Sequence, residues 1–130
     1  MFEIKDNALT SPHRLTQSVV QVADMLGMYA AELARVLHVK CEDVGRLMSA
    51  KELIQRDVKS WNQAVLFIRF YQALYRALDG DEVAIYHWLR AENDLLGGVP
   101  LMLIVDHDQL VQVTDFLINY YAEKFHAISD

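Results

Sequence analysis

The residues able to do chemistry in this chain are few and dispersed. Its five histidines, His13, His38, His87, His107 and His126, include no pair at i, i+4 on one helix. A zinc or transition-metal site draws on such pairs together with cysteines or converging carboxylates. Cys41 is the only cysteine, which excludes an internal disulfide and suits a reducing compartment. Asp106-His107-Asp108 is the one local cluster, and a solvated helix start with Asp as the N-cap accounts for it. Asp79-Gly80-Asp81-Glu82 shares letters with a calcium loop, but the glycine and carboxylate spacing are wrong for one. A helix end followed by a helix start explains the same residues. The sequence has no glycine loop to cradle phosphates and no nucleophile elbow. The expectation is a binding protein, with no enzymatic activity, no metal and no cofactor.

Binding chemistry has better candidates. Leu33, Ala34, Leu37, Val39, Val44 and Leu47 follow the spacing of a helix-turn-helix, in which small and apolar residues let two helices cross over a tight turn. Ala34 stands where a small side chain allows the contact, and His38 occupies the turn position usually given to glycine. The second of these helices would expose Lys40, Cys41, Glu42, Gly45 and Arg46. Lys40, Arg46 and Lys51 are the candidate DNA-binding residues, able to meet phosphates or a guanine edge. Glu42 and Asp43 oppose a DNA backbone but suit the positive end of a helix.

These residues need helices to position them, and the sequence reads as helical throughout. Ser11-Pro12 is a start signal. Leu15, Val19, Val22, Ala23 and Leu26 recur at helical spacing up to Gly27. Short helices are expected over Tyr29–Leu37 and from about Cys41. Gln55 to Ser60 is a polar stretch and the expected domain boundary. A long helix from about Trp61 to Leu78 confines its polar residues to a narrow stripe, Asn62, Arg69, Gln72, Arg76 and Asp79. Such a helix must be covered on two or three sides, so it is central or lies in an oligomer interface. Asp81 caps the next helix, Pro100 opens a short apolar one, and the last runs from about Asp108 to Phe125. Trp61, Phe67, Tyr71, Leu74, Trp88, Leu89 and Leu117 are the expected core.

Bulk composition agrees with this reading. At 130 residues and 53% hydrophobic, the chain has enough apolar side chains for a real core. Its longest apolar run, Val99 to Val105, is far short of the roughly 20 residues that span a bilayer. The first ten residues lack the apolar region of a secretory signal, so a cytoplasmic protein with no membrane partner is expected. A net charge of −6 argues against nucleic-acid coating as its main task.

The second half carries a more specific pattern. Ile68-Arg69, Ala84, Trp88-Leu89, Asn93, Leu96-Gly97-Gly98, Pro100-Leu101, Val113 and Leu117 follow one another across short gaps. In this the chain resembles the toxin-binding domain of Xre/MbcA/ParS-type antitoxins, and its first half resembles the Xre-like helix-turn-helix domain that precedes it there. The resemblance spans about His13 to Tyr121. Asp106 and Gln109 depart from it, standing where that family tends to have Thr and Gly.

The resemblance implies an all-α protein with an N-terminal helix-turn-helix-like bundle, residues 11–58, joined to a C-terminal helical toxin-binding domain, residues 59–130. It implies a homodimeric antitoxin that inhibits a RES-like toxin, one that consumes NAD or ADP-ribosylates a target, with operator DNA as a second partner. The toxin-binding residues it implies are Asn93, Gly97, Gly98, Pro100, Phe116, Tyr120, Tyr121 and Phe125. The alternative is a stand-alone helix-turn-helix transcriptional regulator without a cognate toxin. Val111, Phe116, Ile118 and Tyr120 lie off the inner stripe of the last helix and are expected to meet a toxin or a dimer mate, with the tail from Phe125 reaching beyond the core.

Overall fold

Helical periodicity in the sequence becomes seven helices, with no strand among the described residues. The computed structural model describes residues 11–49, 53–54 and 59–129, those from 121 on as backbone only. The helices are α1 (Pro12–Met25), α2 (Ala30–Leu37), α3 (Cys41–Met48), α4 (Lys59–Ala77), α5 (Glu82–Arg90), α6 (Pro100–Asp106) and α7 (Leu110–Ser129). Among the described residues no helix is long and apolar enough to cross a membrane. Two compact units share the chain, Met1–Ile68 and Arg69–Asp130, and the division between them falls inside α4. Lys59 and Ser60, at the end of the polar stretch, are already helical.

In the first unit, start and stop signals act as their chemistry requires. The Arg14 N–H donates to Ser11 Oγ at 3.4 Å, and Pro12 occupies the first turn of α1. Gly27, at φ 69°, follows α1. The Tyr29 N–H, at the N-cap of α2, donates to Glu32 Oε1 at 2.8 Å. Leu15, Val19, Val22, Leu33, Leu37 and Val44 are fully or almost fully buried. Each such aliphatic side chain contributes about 1.5–3 kcal/mol relative to its exposed state.

One polar group ties this core to the chain beyond α3. The Thr16 hydroxyl, 3% exposed, donates to the Pro12 carbonyl at 2.7 Å and accepts from the Ile54 N–H at 3.0 Å. Ile54 itself is buried.

α4 confirms the narrow polar stripe. Asn62, Arg69 and Arg76, at successive seven-residue intervals, are exposed. Ala64, Phe67, Ile68, Phe70, Tyr71, Ala73, Leu74 and Ala77 are buried. The apolar girth of this helix is covered only in part, since Trp61, Val65, Leu66 and Tyr75 are half-buried. Phe67, Tyr71, Leu74, Leu89 and Leu117 are core residues as expected. Trp61 and Trp88 are not: both are half-buried. An indole is seldom wholly enclosed, and Trp88 also sits beside the inward pair Ile85 and Leu89 rather than on it.

The C-terminal helices depart from expectation at their ends. Asp106 closes α6, and Asp108 takes a left-handed φ of 53°, so neither caps α7. The Gln109 N–H instead donates back to the Leu103 carbonyl at 3.0 Å, and the Val113 N–H to the Gln109 carbonyl at 3.0 Å. α7 then continues to Ser129, four residues past the expected end at Phe125.

Thr16 offers the sharpest test of the first unit. Thr16→Val keeps the side-chain shape but leaves the buried Ile54 N–H without its acceptor, which costs about 1–3 kcal/mol. Urea denaturation should show this loss, with Thr16→Ser losing much less. A Val variant as stable as the parent chain would show that the hydroxyl carries no structural role.

Candidate functional site

The α2–α3 pair is built around a left-handed residue. His38 adopts φ 60° and ψ 41° at the end of α2. In that conformation its N–H donates to the Arg35 carbonyl at 3.3 Å, and the Val39 N–H to the Ala34 carbonyl at 3.0 Å. A side chain in this region is strained where glycine would not be. Polar contacts hold the turn: Gln63 Nε2 donates to the Val36 carbonyl at 2.9 Å and lies 3.4 Å from His38 Nε2. The turn thus bends as the helix-turn-helix pattern predicted, although it lacks the usual glycine.

α3 presents a mixed face. Leu47 and Val44 point inward, and Lys40, Cys41, Glu42, Gly45 and Arg46 are exposed, as the pattern required. Lys40 is the N-cap residue and Arg46 lies in the last turn, so one helix carries both cations. Arg46 lies 3.9 Å from Asp43, an exposed pairing of small energetic weight. A methyl group on Gly45 would meet nothing within 4 Å, so packing does not require glycine there. Lys51 lies outside the described residues. The first unit contains eight basic and eight acidic residues, so the net −6 resides in the second. The acidity that argued against nucleic acid is therefore not a property of the α3 unit.

In the second unit, Asn93, Gly97, Gly98 and Pro100 come together in one corner between α5 and α6. Asn93 Oδ1 accepts from the N–H groups of Leu95 at 3.0 Å and Leu96 at 3.2 Å. Its carbonyl accepts from Gly97 at 2.9 Å and Gly98 at 3.2 Å, and its own N–H donates to the Gly98 carbonyl at 2.9 Å. Gly97 has φ 79°, a conformation that glycine adopts without strain. At Gly98 a Cβ would sit 3.3 Å from Leu103 Cδ2, so the close approach of α6 uses the missing side chain. Pro100 is buried in the first turn of α6. These residues shape a closed, self-satisfied turn.

At the tip of this turn Leu95 is 82% exposed, a feature the sequence reading passed over. The signal was present: an apolar pair, Leu95-Leu96, inside a six-residue turn that is too small to enclose both. Tyr86 was likewise missed. It is exposed, with the Arg90 guanidinium 3.8 Å from its ring centroid.

α7 divides its outer apolar residues between two flanks. Phe116 stacks on Trp88, with ring centroids 6.5 Å apart and planes at 22°. Tyr120 continues the stack at 6.3 Å and 21°. Phe116 is half-buried and Tyr120 is exposed, so the ladder runs from the α5 surface out to solvent. Val111 and Ile118, two turns apart and both about half exposed, lie on the other flank. The four residues therefore form two separate apolar surfaces. Tyr121 and Phe125 belong to α7, but their side chains lie outside the described residues. The tail beyond Phe125 continues as helix to Ser129.

Titration is perturbed within the second unit at Tyr71. Burial first, then the neighbouring Tyr75 and Glu82, push its hydroxyl above the usual 10.0. It stays neutral at physiological pH, a core residue with a polar tip.

Asn93 tests whether the corner is structural. Asn93→Ala removes an acceptor shared by two N–H groups and should cost about 1 kcal/mol. A thermal melt checks this, and Asn93→Asp, which keeps the acceptor, should lose less. An unchanged melt for the Ala variant would mean that the backbone bonds alone hold the turn.

Set against known proteins, the chain matches no family model and no curated protein.

Proposed function

We propose that this chain is an antitoxin-type binding protein. Its second unit covers the active site of a RES-like toxin that consumes NAD or ADP-ribosylates a target, and its first unit binds operator DNA. The observation that carries the reading is the aromatic ladder of Trp88, Phe116 and Tyr120 that reaches solvent, together with the exposed Leu95 at the tip of the Asn93 turn. Large apolar and aromatic groups held rigidly at a surface are the usual anchors of a protein–protein contact. The order of motifs in the second half supports the choice of partner. A homodimer in the cytoplasm belongs to the same reading, since self-association is the commonest way to cover such residues.

The test is co-expression with the product of the gene adjacent to its own, scored by rescue of growth. The full chain should rescue, and Tyr120→Ala should weaken binding of that product at least tenfold while leaving the helical signal unchanged. Deletion of residues 121–130 should abolish rescue. A chain that neither binds nor protects would end the antitoxin reading.

A stand-alone transcriptional regulator is the second reading, and the α2–α3 turn with Lys40 and Arg46 exposed favours it. Both readings expect DNA contact through α3. A promoter fragment should therefore be shifted at low salt, with affinity falling steeply as salt rises. Lys40→Ala combined with Arg46→Ala should reduce it at least tenfold. No shift in 50 mM salt would remove DNA from the function.

A further inference from the structure

The polar stripe of α4 has a use that the antitoxin reading does not absorb. Arg69, Gln72, Ala73 and Arg76 line a shallow groove whose far wall is Ile118 of α7, enclosing about 170 Å³. The two arginines are exposed, Gln72 is half-buried, Ala73 is buried and Ile118 is half exposed. The groove therefore has an apolar floor with a guanidinium at each end. Seven residues separate the two arginines, so their backbone positions lie about 10.5 Å apart along the helix axis.

The electrostatic setting makes this arrangement unusual. The second unit contains ten Asp and Glu against four Arg and Lys. Two of those four cations line this one groove, and a third, Arg90, lies over the Tyr86 ring. Carboxylates are abundant in the unit, yet among the described residues none forms an ion pair with Arg69 or Arg76. Guanidinium groups presented in this way match carboxylates in a forked, two-bond geometry.

We propose that the groove docks an acidic amphipathic helix of a protein partner. One aliphatic side chain of that helix rests on Ala73 and Ile118, and carboxylates two turns apart on it engage Arg69 and Arg76. The size of the groove favours this occupant: it suits one side chain and is well below the 300 Å³ or more typical of small-molecule sites. A nucleic-acid strand fits poorly. Its phosphates offer nothing to the apolar Ala73 and Ile118, which an aliphatic side chain of a helix can cover. The inference stands apart from the toxin-inhibition reading, because it rests on α4 and the Ile118 flank and not on the aromatic ladder.

The experiment is an NMR titration of the full ¹⁵N-labelled chain with a capped helical peptide that has two glutamates seven residues apart and a leucine midway. Saturable shifts should concentrate at residues 69–76 and around 118, and they should weaken as salt is raised. Replacing both glutamates of the peptide by glutamine should weaken binding at least tenfold. So should Arg69→Glu with Arg76→Glu in the chain, a pair of surface changes whose helical signal and melt should match the parent. Ile118→Asp should weaken it independently. Absence of shifts at millimolar peptide overturns the proposal. So does a titration in which an oligothymidylate, and not the peptide, moves these residues. The same shifts appearing on concentration of the chain alone would make a second copy the occupant and overturn it equally.

Discussion

A long helix that is apolar around most of its circumference cannot exist in water by itself, and α4 is such a helix. Its burial is the constraint on which the rest of the structure depends. Phe67, Phe70, Ile68 and Leu74 are fully enclosed although they point in different directions around the helix axis. Lys59, Asn62, Arg69 and Arg76 are exposed, with Trp61, Val65, Leu66 and Tyr75 half-buried. Burial of the four enclosed side chains is worth about 6–12 kcal/mol, comparable to the net stability of an ordinary domain, most of it offset by conformational entropy. The short helices α2, α3, α5 and α6, at seven to nine residues, are below the length that is stable in isolation. Packing of their apolar faces makes them helices.

Short helices need definite ends, and the chain supplies them with left-handed residues. His38, Asp79 and Asp108 take positive φ without being glycine, alongside Gly27, Gly80 and Gly97. Each reverses the chain in one or two residues. The non-glycine cases are strained, and contacts nearby hold them in place: Gln63 lies against His38, and the Gln109 N–H closes on the Leu103 carbonyl beside Asp108. The Asn93 corner solves the same problem without strain, through a side-chain carbonyl that serves two N–H groups and a glycine at the left-handed position.

The surface left by this packing differs between the units. The first is balanced in charge and presents α3 with cations and anions interleaved. The second is strongly acidic, and its outer apolar residues fall on opposite flanks of α7. One flank is aromatic and continuous with α5; the other is aliphatic and borders two arginines. The second unit thus offers two apolar flanks on an acidic surface, and the first a charge-balanced surface around the α2–α3 turn.

The sequence by itself determined the helical class, most of the helix boundaries, the caps at Ser11 and Asp81 and the start of α6 at Pro100. These follow from local periodicity and from side chains bonding to backbone within three or four residues. It also determined the narrow stripe of α4, because a period of 3.6 residues sorts polar from apolar positions wherever the helix lies. It did not determine what covers α4, since that depends on residues distant in the chain. It did not place Trp88, whose indole lies beside the inward stripe and stacks on Phe116. Helical spacing already separates Val111 and Ile118 from Phe116 and Tyr120 around α7, but which neighbour each flank meets, Trp88 on one side and the α4 arginines on the other, needed the folded chain. The turn at His38 shows the same limit from the other side: local preference favours glycine there, and the contact with Gln63, twenty-five residues away, lies beyond what local sequence can register.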